Sequence, residues 1–382
     1  MTDEFVCIRC GNKDKKFIGI RNGKEYCRLC LSFNGKEVNY CESYSKNATL
    51  TIDYALTKDQ KRISDSLLEN YISHKNSLVY AVCGSGKTEL VYKTIAYVLR
   101  CGGKVGFAIP RREVVIELYE RLSSAFKKVK MQCVYGGHND VLEGDFIILT
   151  THQLYRYPKY FDLLILDEID AFPFKGNDVL KSFFKKSIKG QYILMSATPS
   201  KEILNKFKND KDKSLLTLMK RYHGGLLPIP IIKVKSDVLA FFEIVNRVRR
   251  YIKDNKRVFI FCPTIALCRY FYFGISLFLK NGNYVHSKKN QKERIISDFK
   301  ENKYRYLVTT SVLERGVTVE NLQVIVFKAD HELFSCAQLV QIAGRVGRKK
   351  QYTEGDVFFY GKEKSEEMVS AIREIEDANK NM

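Results

Sequence analysis

Tryptophan is absent from the 382 residues, so any ring stacking on a nucleobase falls to 23 tyrosines and 24 phenylalanines. No apolar run approaches the ~18 residues needed to cross a bilayer, which excludes a helical membrane span. The opening Met1-Thr2-Asp3-Glu4 lacks the basic-then-apolar order of a secretory signal, and a cytoplasmic chain is expected. Short repeats and low-complexity tracts are missing too. With 45% hydrophobic and 28% charged residues, the composition is that of a globular protein, not of a disordered, collagenous or coiled-coil chain. At roughly 150 residues per domain the length accommodates two domains and a small appendage. Acidic residues are in short supply. Sixty-four Lys and Arg stand against 43 Asp and Glu, a formal charge of +21. Such an excess favours a polyanionic partner, because each cation that neutralises a phosphate releases a condensed counterion. Charge alone names no reaction.

Cysteine is plentiful, at eleven residues, and in a cytoplasmic chain these are not expected to be disulfides. Four fall into Cys7-Ile8-Arg9-Cys10 and Cys27-Arg28-Leu29-Cys30. Two such pairs supply four thiolates for tetrahedral Zn²⁺. Gly11, Asn12, Gly19, Asn22 and Gly23 allow the tight turns the knuckles need. A module of about forty residues buries too little apolar surface to fold alone, and a metal would supply the missing stability. Cys41, Cys83, Cys101, Cys133, Cys262, Cys268 and Cys336 lie among apolar neighbours and read as small core residues.

Residues 41–55 are polar and read as a connector. Beyond them, short apolar runs alternate with amphipathic stretches. Ser77–Cys83, Val105–Pro110, Phe146–Thr150, Leu163–Asp167 and Tyr192–Ser196 are expected strands, with helical spacing over Glu89–Arg100 and Arg112–Phe126. Continuous apolar strands separated by helices indicate a parallel sheet covered on both faces. A turn-rich stretch, His223–Pro230, reads as a domain boundary. The alternation resumes with Val258–Cys262, Tyr304–Thr309, Val324–Phe327 and Asp356–Tyr360. The lysine-rich stretches Lys201–Lys220 and Lys288–Lys303 read as solvated faces. The fold class is α/β, with two parallel-sheet domains in tandem (56–222 and 228–382) after a small N-terminal module (1–45).

Strand Ser77–Cys83 leads into Gly84-Ser85-Gly86-Lys87-Thr88, followed by a helix. Glycines let backbone N–H groups approach a polyphosphate, Lys87 supplies a point charge to it, and the Thr88 hydroxyl is placed for Mg²⁺. The helix N-terminus adds its dipole. Ala81 stands where the full phosphate-loop pattern has its first glycine. Leu163-Leu164-Ile165-Leu166 ends in Asp167-Glu168-Ile169-Asp170. Asp167 there can hold Mg²⁺ and Glu168 can polarise the water that attacks a γ-phosphate. Together these residues point to an NTPase.

Leu166-Asp167-Glu168-Ile169-Asp170-Ala171-Phe172-Pro173-Phe174 resembles motif II of the ComFA family, late-competence DExD/H-type superfamily 2 helicases of naturally transformable bacteria. The other signatures follow in order. Leu56–Gln60 resembles the Gln motif, Ala81–Glu89 motif I, and Pro110–Val115 motif Ia. Thr150–Leu154 resembles motif Ib and Ser196–Pro199 motif III. In the second half Phe261–Thr264 resembles motif IV, Thr309–Val319 motif V and Gln341–Arg348 motif VI. The resemblance spans about residues 56–360. The family's four-cysteine zinc module matches Cys7, Cys10, Cys27 and Cys30, and both domains are implied to be RecA-like.

The resemblance implies that Gln60 reads adenine and that Gly84, Ser85, Gly86, Lys87, Thr88 and Asp167 hold the nucleotide and Mg²⁺, with Gly316 of motif V. Arg345 and Arg348 are implied to reach the γ-phosphate, with Gln341 near the attacking water. Glycines are poor inside helices, so Gly344 and Gly347 call for a backbone reason. Ser196 and Thr198 would relay the nucleotide state. Arg111, Arg112, Thr151, His152, Gln153, Thr309, Thr310 and Arg315 would grip the phosphates and sugars of single-stranded DNA, largely blind to its sequence. Further implied partners are other competence proteins at the inner face of the membrane, and an oligomer is compatible with the pattern. Two rival readings remain open: a PriA-like replication-restart or RNA helicase, and a zinc-bearing nucleic-acid-binding protein with an inactive motor. Intact Lys87, Glu168, Arg345 and Arg348 weigh against the second.

Overall fold

The computed structural model describes residues 5–43, 45–171, 173–314 and 317–380. The opening tetrapeptide, Phe172, Arg315 and Gly316 lie outside the described residues. The chain divides into two compact units. One comprises the residues up to Ala81 together with Gly86–Leu218, and the other Val82–Ser85 together with the residues from Met219 onward.

The first unit begins with a hairpin, β1 (Ile18–Arg21) and β2 (Lys24–Cys27). Asn22 and Gly23 both take positive φ, 53° and 72°, the twist a two-residue hairpin turn requires. The connector is ordered rather than loose. Its β3 (Thr49–Leu50) pairs antiparallel with β6 (Phe126–Lys127), and Ser45 and Ala48 are buried. A fully buried ion pair explains the anchoring. Lys104 Nζ lies 2.5 Å from Asp145 Oδ1 and 3.2 Å from the Glu42 carbonyl, and the Ser45 hydroxyl donates to the same Asp145. A charge pair removed from water persists only when its remaining valences are met, and the Glu42 carbonyl and Ser45 hydroxyl contribute to that.

The main sheet of this unit contains β4 (Asn76–Ala81), β5 (Val105–Ile109), β7 (Met131–Val134), β8 (Phe146–Thr150), β9 (Phe161–Asp167), β10 (Ile188–Ser196) and β11 (Lys213–Leu218). Its order is β11-β4-β10-β9-β5-β8-β7, parallel throughout. The second unit carries β12 (Ile231–Val234), β13 (Arg257–Phe261), β14 (Gly282–Val285), β15 (Tyr306–Thr309), β16 (Leu322–Phe327) and β17 (Val357–Gly361). They form a second parallel sheet in the order β12-β17-β16-β13-β15-β14.

Every central strand of both sheets coincides with an expected strand to within a few residues, because burial on both faces demands a continuous apolar run. Within these two sheets the strands the pattern misses are β11, β7, β12 and β14, and they are the four sheet edges. An edge is covered on one side only and admits polar residues. Thus the lysine-rich stretch 201–220 holds the helix Lys201–Lys208 and the edge strand β11 instead of one solvated face. The expected helix Glu89–Arg100 is two pieces, Lys87–Leu90 and Tyr92–Arg100, separated at Val91.

Candidate nucleotide site and nucleic-acid interface

The candidate phosphate loop follows the carboxyl end of β4. The turn after Ala81 has Gly84 and Gly86 at φ 82° and 76°. A Cβ at Gly86 would stand 2.5 Å from the Gln60 amide nitrogen, so a side chain is excluded by both backbone and neighbour. Gln60 is buried and fixed by a reciprocal cap at the start of helix Lys58–Ile72. It donates its N–H to Thr57 Oγ1 at 3.2 Å and accepts the Thr57 N–H at 2.9 Å. Sequence reading gave Gln60 to adenine, and the structure places its amide against the glycine loop. Lys87 Nζ donates to the Ala81 carbonyl at 3.1 Å, while Thr88 is half-buried on the first turn of its helix.

Strand β10 separates β4 from β9 and brings motif III between the phosphate loop and the acidic cluster. At the end of β9 the Glu168 N–H donates to Asp167 Oδ1 at 2.8 Å, and Glu168 takes φ 58°. A left-handed backbone costs a residue with a Cβ about 1–2 kcal/mol, and such strain gathers where a side chain must point against the chain's path. Asp170, two residues on, accepts from the Ser196 hydroxyl at 2.6 Å and from the Thr198 hydroxyl at 2.8 Å. The Thr198 N–H closes the ring on Ser196 Oγ at 3.0 Å. Motifs II and III are therefore joined by charge-assisted bonds that Asp170 carries, a role sequence reading did not assign to it.

The ends of β5 and β8 carry the basic and polar candidates. Arg111 precedes helix Arg112–Ala125, and Arg112 opens it. Thr151, His152 and Gln153 form a short turn directly after β8. The buried Thr151 hydroxyl has no hydrogen-bond partner among the described residues. Gln153 and His152 are held by the chain itself. Gln153 Oε1 accepts from Arg156 Nε at 2.6 Å, and the His152 ring stacks on Phe33 with centroids 6.2 Å apart. Burial keeps the His152 imidazole below its usual range, hence neutral at pH 7.

Phe33 belongs to the cysteine module, which is seated on this turn. Arg156 donates to the Lys36 carbonyl at 3.0 Å, Val38 N–H to the Arg156 carbonyl at 2.6 Å, and Gly35 N–H to the Tyr155 hydroxyl at 3.1 Å. The module's four cysteines are buried, and their sulfurs all lie within 4.8 Å of one another. Cys7 and Cys30 are 3.5 Å apart, Cys10 and Cys27 3.6 Å. A tetrahedral Zn²⁺ with ~2.3 Å bonds to sulfur needs sulfurs about 3.8 Å apart, so the donor set fits the metal in number, type and spacing. Burial and the adjacent thiols push Cys10 up to about 11, a position that a divalent cation reverses by holding thiolate.

In the second unit Thr309 ends β15 and Thr310 follows, both buried. Motif VI is not one basic helix. Helix Cys336–Ala343, capped by Ser335 and Gln338, stops before Gly344, with Gln341 buried on its last turn. Gly347 takes φ 69°, and a Cβ there would meet the Thr353 carbonyl at 2.2 Å. Arg345, expected to extend toward phosphate, is turned inward and 2% exposed. It donates to the Glu314 and Val317 carbonyls, each at 2.7 Å, because the motif V turn presents carbonyls that need donors. Arg348 donates to the Gly344 carbonyl at 2.9 Å and stays half-buried. Beneath the motif lies Arg221, also 2% exposed, donating to the Val346 and Gly347 carbonyls at 2.8 Å each. Burial, then the nearby Arg348 charge, lowers Arg221 to about 10. Sequence reading missed Arg221, since nothing separates it there from the surrounding basic residues.

Residues 57–206 match the DEAD/DEAH box helicase family, and residues 242–350 match the helicase conserved C-terminal domain. The competence protein ComFA of Bacillus subtilis (strain 168) is 32% identical over 402 residues, covering 98% of this chain and 86% of that one. ComFA of Streptococcus pneumoniae (strain ATCC BAA-255 / R6) is also 32% identical, covering 99% and 91%. The ATP-dependent DNA helicase RecG of S. pneumoniae serotype 4 is 26% identical over 82% of this chain and 50% of its own. Among solved structures, S. cerevisiae Dbp5 bound to RNA and ADP BeF3 shares the fold with a TM-score of 0.62 at 15% identity, covering 86% of this chain and 93% of that one. Two RecA-like parallel-sheet units with these motifs in place, and near-full-length likeness to two competence proteins, make the chain a member of the ComFA family and an ATP-hydrolysing enzyme of the helicase type.

Proposed function

We propose that the protein is a single-stranded DNA translocase that draws incoming DNA into the cell during natural transformation, fuelled by ATP with Mg²⁺. The observation that supports this reading is the Asp170–Ser196–Thr198 link, which ties the acidic motif after β9 to the loop after β10. Lys87 and the turn Gly84–Gly86 bind the phosphates, Thr88 and Asp167 hold Mg²⁺, and Gln60 selects adenine. Bound Mg²⁺ neutralises charge on the phosphate oxygens. Glu168 takes the proton of the attacking water. Gln341, Arg345 and Arg348 serve the transferring phosphoryl group, Arg345 from its brace on the motif V carbonyls, with Gly316 beside the nucleotide. Arg111, Arg112, Thr151, His152, Gln153, Thr309, Thr310 and Arg315 grip the strand. Zinc on Cys7, Cys10, Cys27 and Cys30 cross-links the N-terminal module. Competence proteins at the inner face of the membrane are the proposed protein partners.

ATPase activity measured with single-stranded DNA, duplex DNA, RNA and no nucleic acid tests the proposal. Single-stranded DNA should stimulate most, whereas equal or greater stimulation by RNA would replace this reading with that of an RNA helicase. Two further results are expected. Asp170→Asn keeps the shape but offers an NH₂ to one of two hydroxyl donors, and a charge-assisted bond contributes about 1.5–3 kcal/mol. The ratio of DNA-stimulated to basal turnover should fall about tenfold while ATP affinity holds; an unchanged ratio would show that the link transmits nothing. Affinity for single-stranded DNA should fall linearly on a log–log salt plot, with a slope of about −0.7 per neutralised phosphate. Arg111→Ala should make that slope shallower by the same amount for every base sequence, and a sequence-selective loss would show base reading instead.

A further inference from the structure

Edge strand β7 runs into Tyr135-Gly136-Gly137-His138, a two-residue hairpin. Tyr135 N–H donates to the His138 carbonyl at 3.1 Å, and His138 N–H to the Tyr135 carbonyl at 3.0 Å. Paired residues of an antiparallel bridge project to one side, and here their rings stack with centroids 5.0 Å apart and planes inclined by 21°. The Arg112 guanidinium lies 4.7 Å from the Tyr135 centroid. Both Arg112 and His138 therefore lie against the Tyr135 ring, and the imidazole is the exposed member of the group. His138 Nδ1 lies 2.9 Å from the Cys133 carbonyl, a contact that donates the Nδ1 proton and fixes the ring plane. His138 is exposed, and a Cβ at either glycine would meet nothing within 4 Å.

Tyr135 packs against the core of the first unit, but His138 lies on the exposed tip, where ordering its ring costs side-chain entropy and buries little apolar surface. Position supplies the reason. The sheet order places β5, β8 and β7 side by side, so their carboxyl ends deliver Arg111–Arg112, Thr151–Gln153 and the hairpin in succession. Ligands of open parallel sheets bind beyond the carboxyl ends of the strands. In a chain without tryptophan, tyrosine and histidine are the rings available there.

We propose that Tyr135 and His138, backed by Arg112, form a stacking platform for a nucleobase of bound single-stranded DNA. This rests on the reading of the chain as a single-stranded DNA motor. The platform sees the π-face of a base and not its hydrogen-bonding edge, so it tolerates every sequence.

The test uses the full chain and two oligonucleotides of equal length, one with bases and one abasic throughout, which present the same phosphates. Wild type should prefer the base-bearing strand. His138→Ala should bind that strand about tenfold more weakly, bind the abasic strand as wild type does, and keep the salt slope, because no phosphate contact is lost. His138→Phe restores a ring and should restore the preference, which separates lost stacking from a distorted hairpin. A His138→Ala variant that loses nothing, or loses equally on both strands, overturns the platform. Wild type that binds neither strand overturns the DNA-motor reading itself.

Discussion

Glu168→Gln should hold ATP with wild-type affinity and hydrolyse it at least a hundredfold more slowly, on the order of what positioned proton transfer contributes. The amide keeps the size of the carboxylate and one acceptor oxygen but has no negative charge with which to orient and deprotonate water. The backbone at Glu168 is held at φ 58° by β9 and by the bond from its own N–H to Asp167, neither of which involves the side chain. The variant should therefore fold normally. With hydrolysis blocked, the protein should hold single-stranded DNA at least as tightly in ATP as without it. Lys87→Ala makes the contrast: on the proposed role Lys87 would meet phosphate before and during the reaction alike, so its loss should weaken ATP binding together with turnover. The measurements are ATP Kd, kcat and DNA affinity. Near wild-type turnover in Glu168→Gln would remove Asp167-Glu168-Ile169-Asp170 from the hydrolytic site.

Cys27→Ser should release the metal and unfold residues 5–43 while the ATP-binding core stays folded. Zinc held by four thiolates contributes an apparent ~10–16 kcal/mol in small peptides, far more than a hairpin of four-residue strands gains by burial. Cys27 ends β2, and its sulfur lies 3.6 Å from Cys10, so a hydroxyl there breaks the donor set where the two knuckles meet. The effect should spread to motif Ib. Phe33 would leave His152, and the Lys36 carbonyl that Arg156 engages and the Gly35 N–H that donates to the Tyr155 hydroxyl would move away, freeing Arg156 to release Gln153. Metal analysis, with hydrogen exchange over 5–43 and 151–156, reads both parts. Zinc-free wild-type protein would remove the metal from the module, and unchanged exchange at 151–156 would show that the module and motif Ib are independent.

Much of this was legible in the order of residues. Nine central strands appear as apolar runs because a strand buried on both faces has no polar alternative. The Gly84–Thr88 loop, the Asp167–Asp170 cluster and the cysteine pairs are local patterns, recognisable from side-chain type and spacing alone. A four-sulfur cluster follows from two turns of four residues and one hairpin, all within 24 positions of each other.

What only the tertiary structure decided lies at longer range. Arg156 reaches Lys36 across 120 positions, and Lys104 meets Asp145 across 41, joining segments whose composition shows no kinship. Arg345 and Arg221 sit among basic residues that look alike in sequence, yet both are buried because backbone carbonyls of motifs V and VI need their donors. The sheet edges escaped the pattern since an edge strand has a hydrogen-bonded neighbour on one side only, and these less buried strands mix polar with apolar residues. The same sheet order sets the hairpin Tyr135–His138 beside Arg112. Periodicity reports how deeply a residue is buried, but which partner it finds there depends on the order of strands, and that order is fixed by contacts the local sequence does not contain.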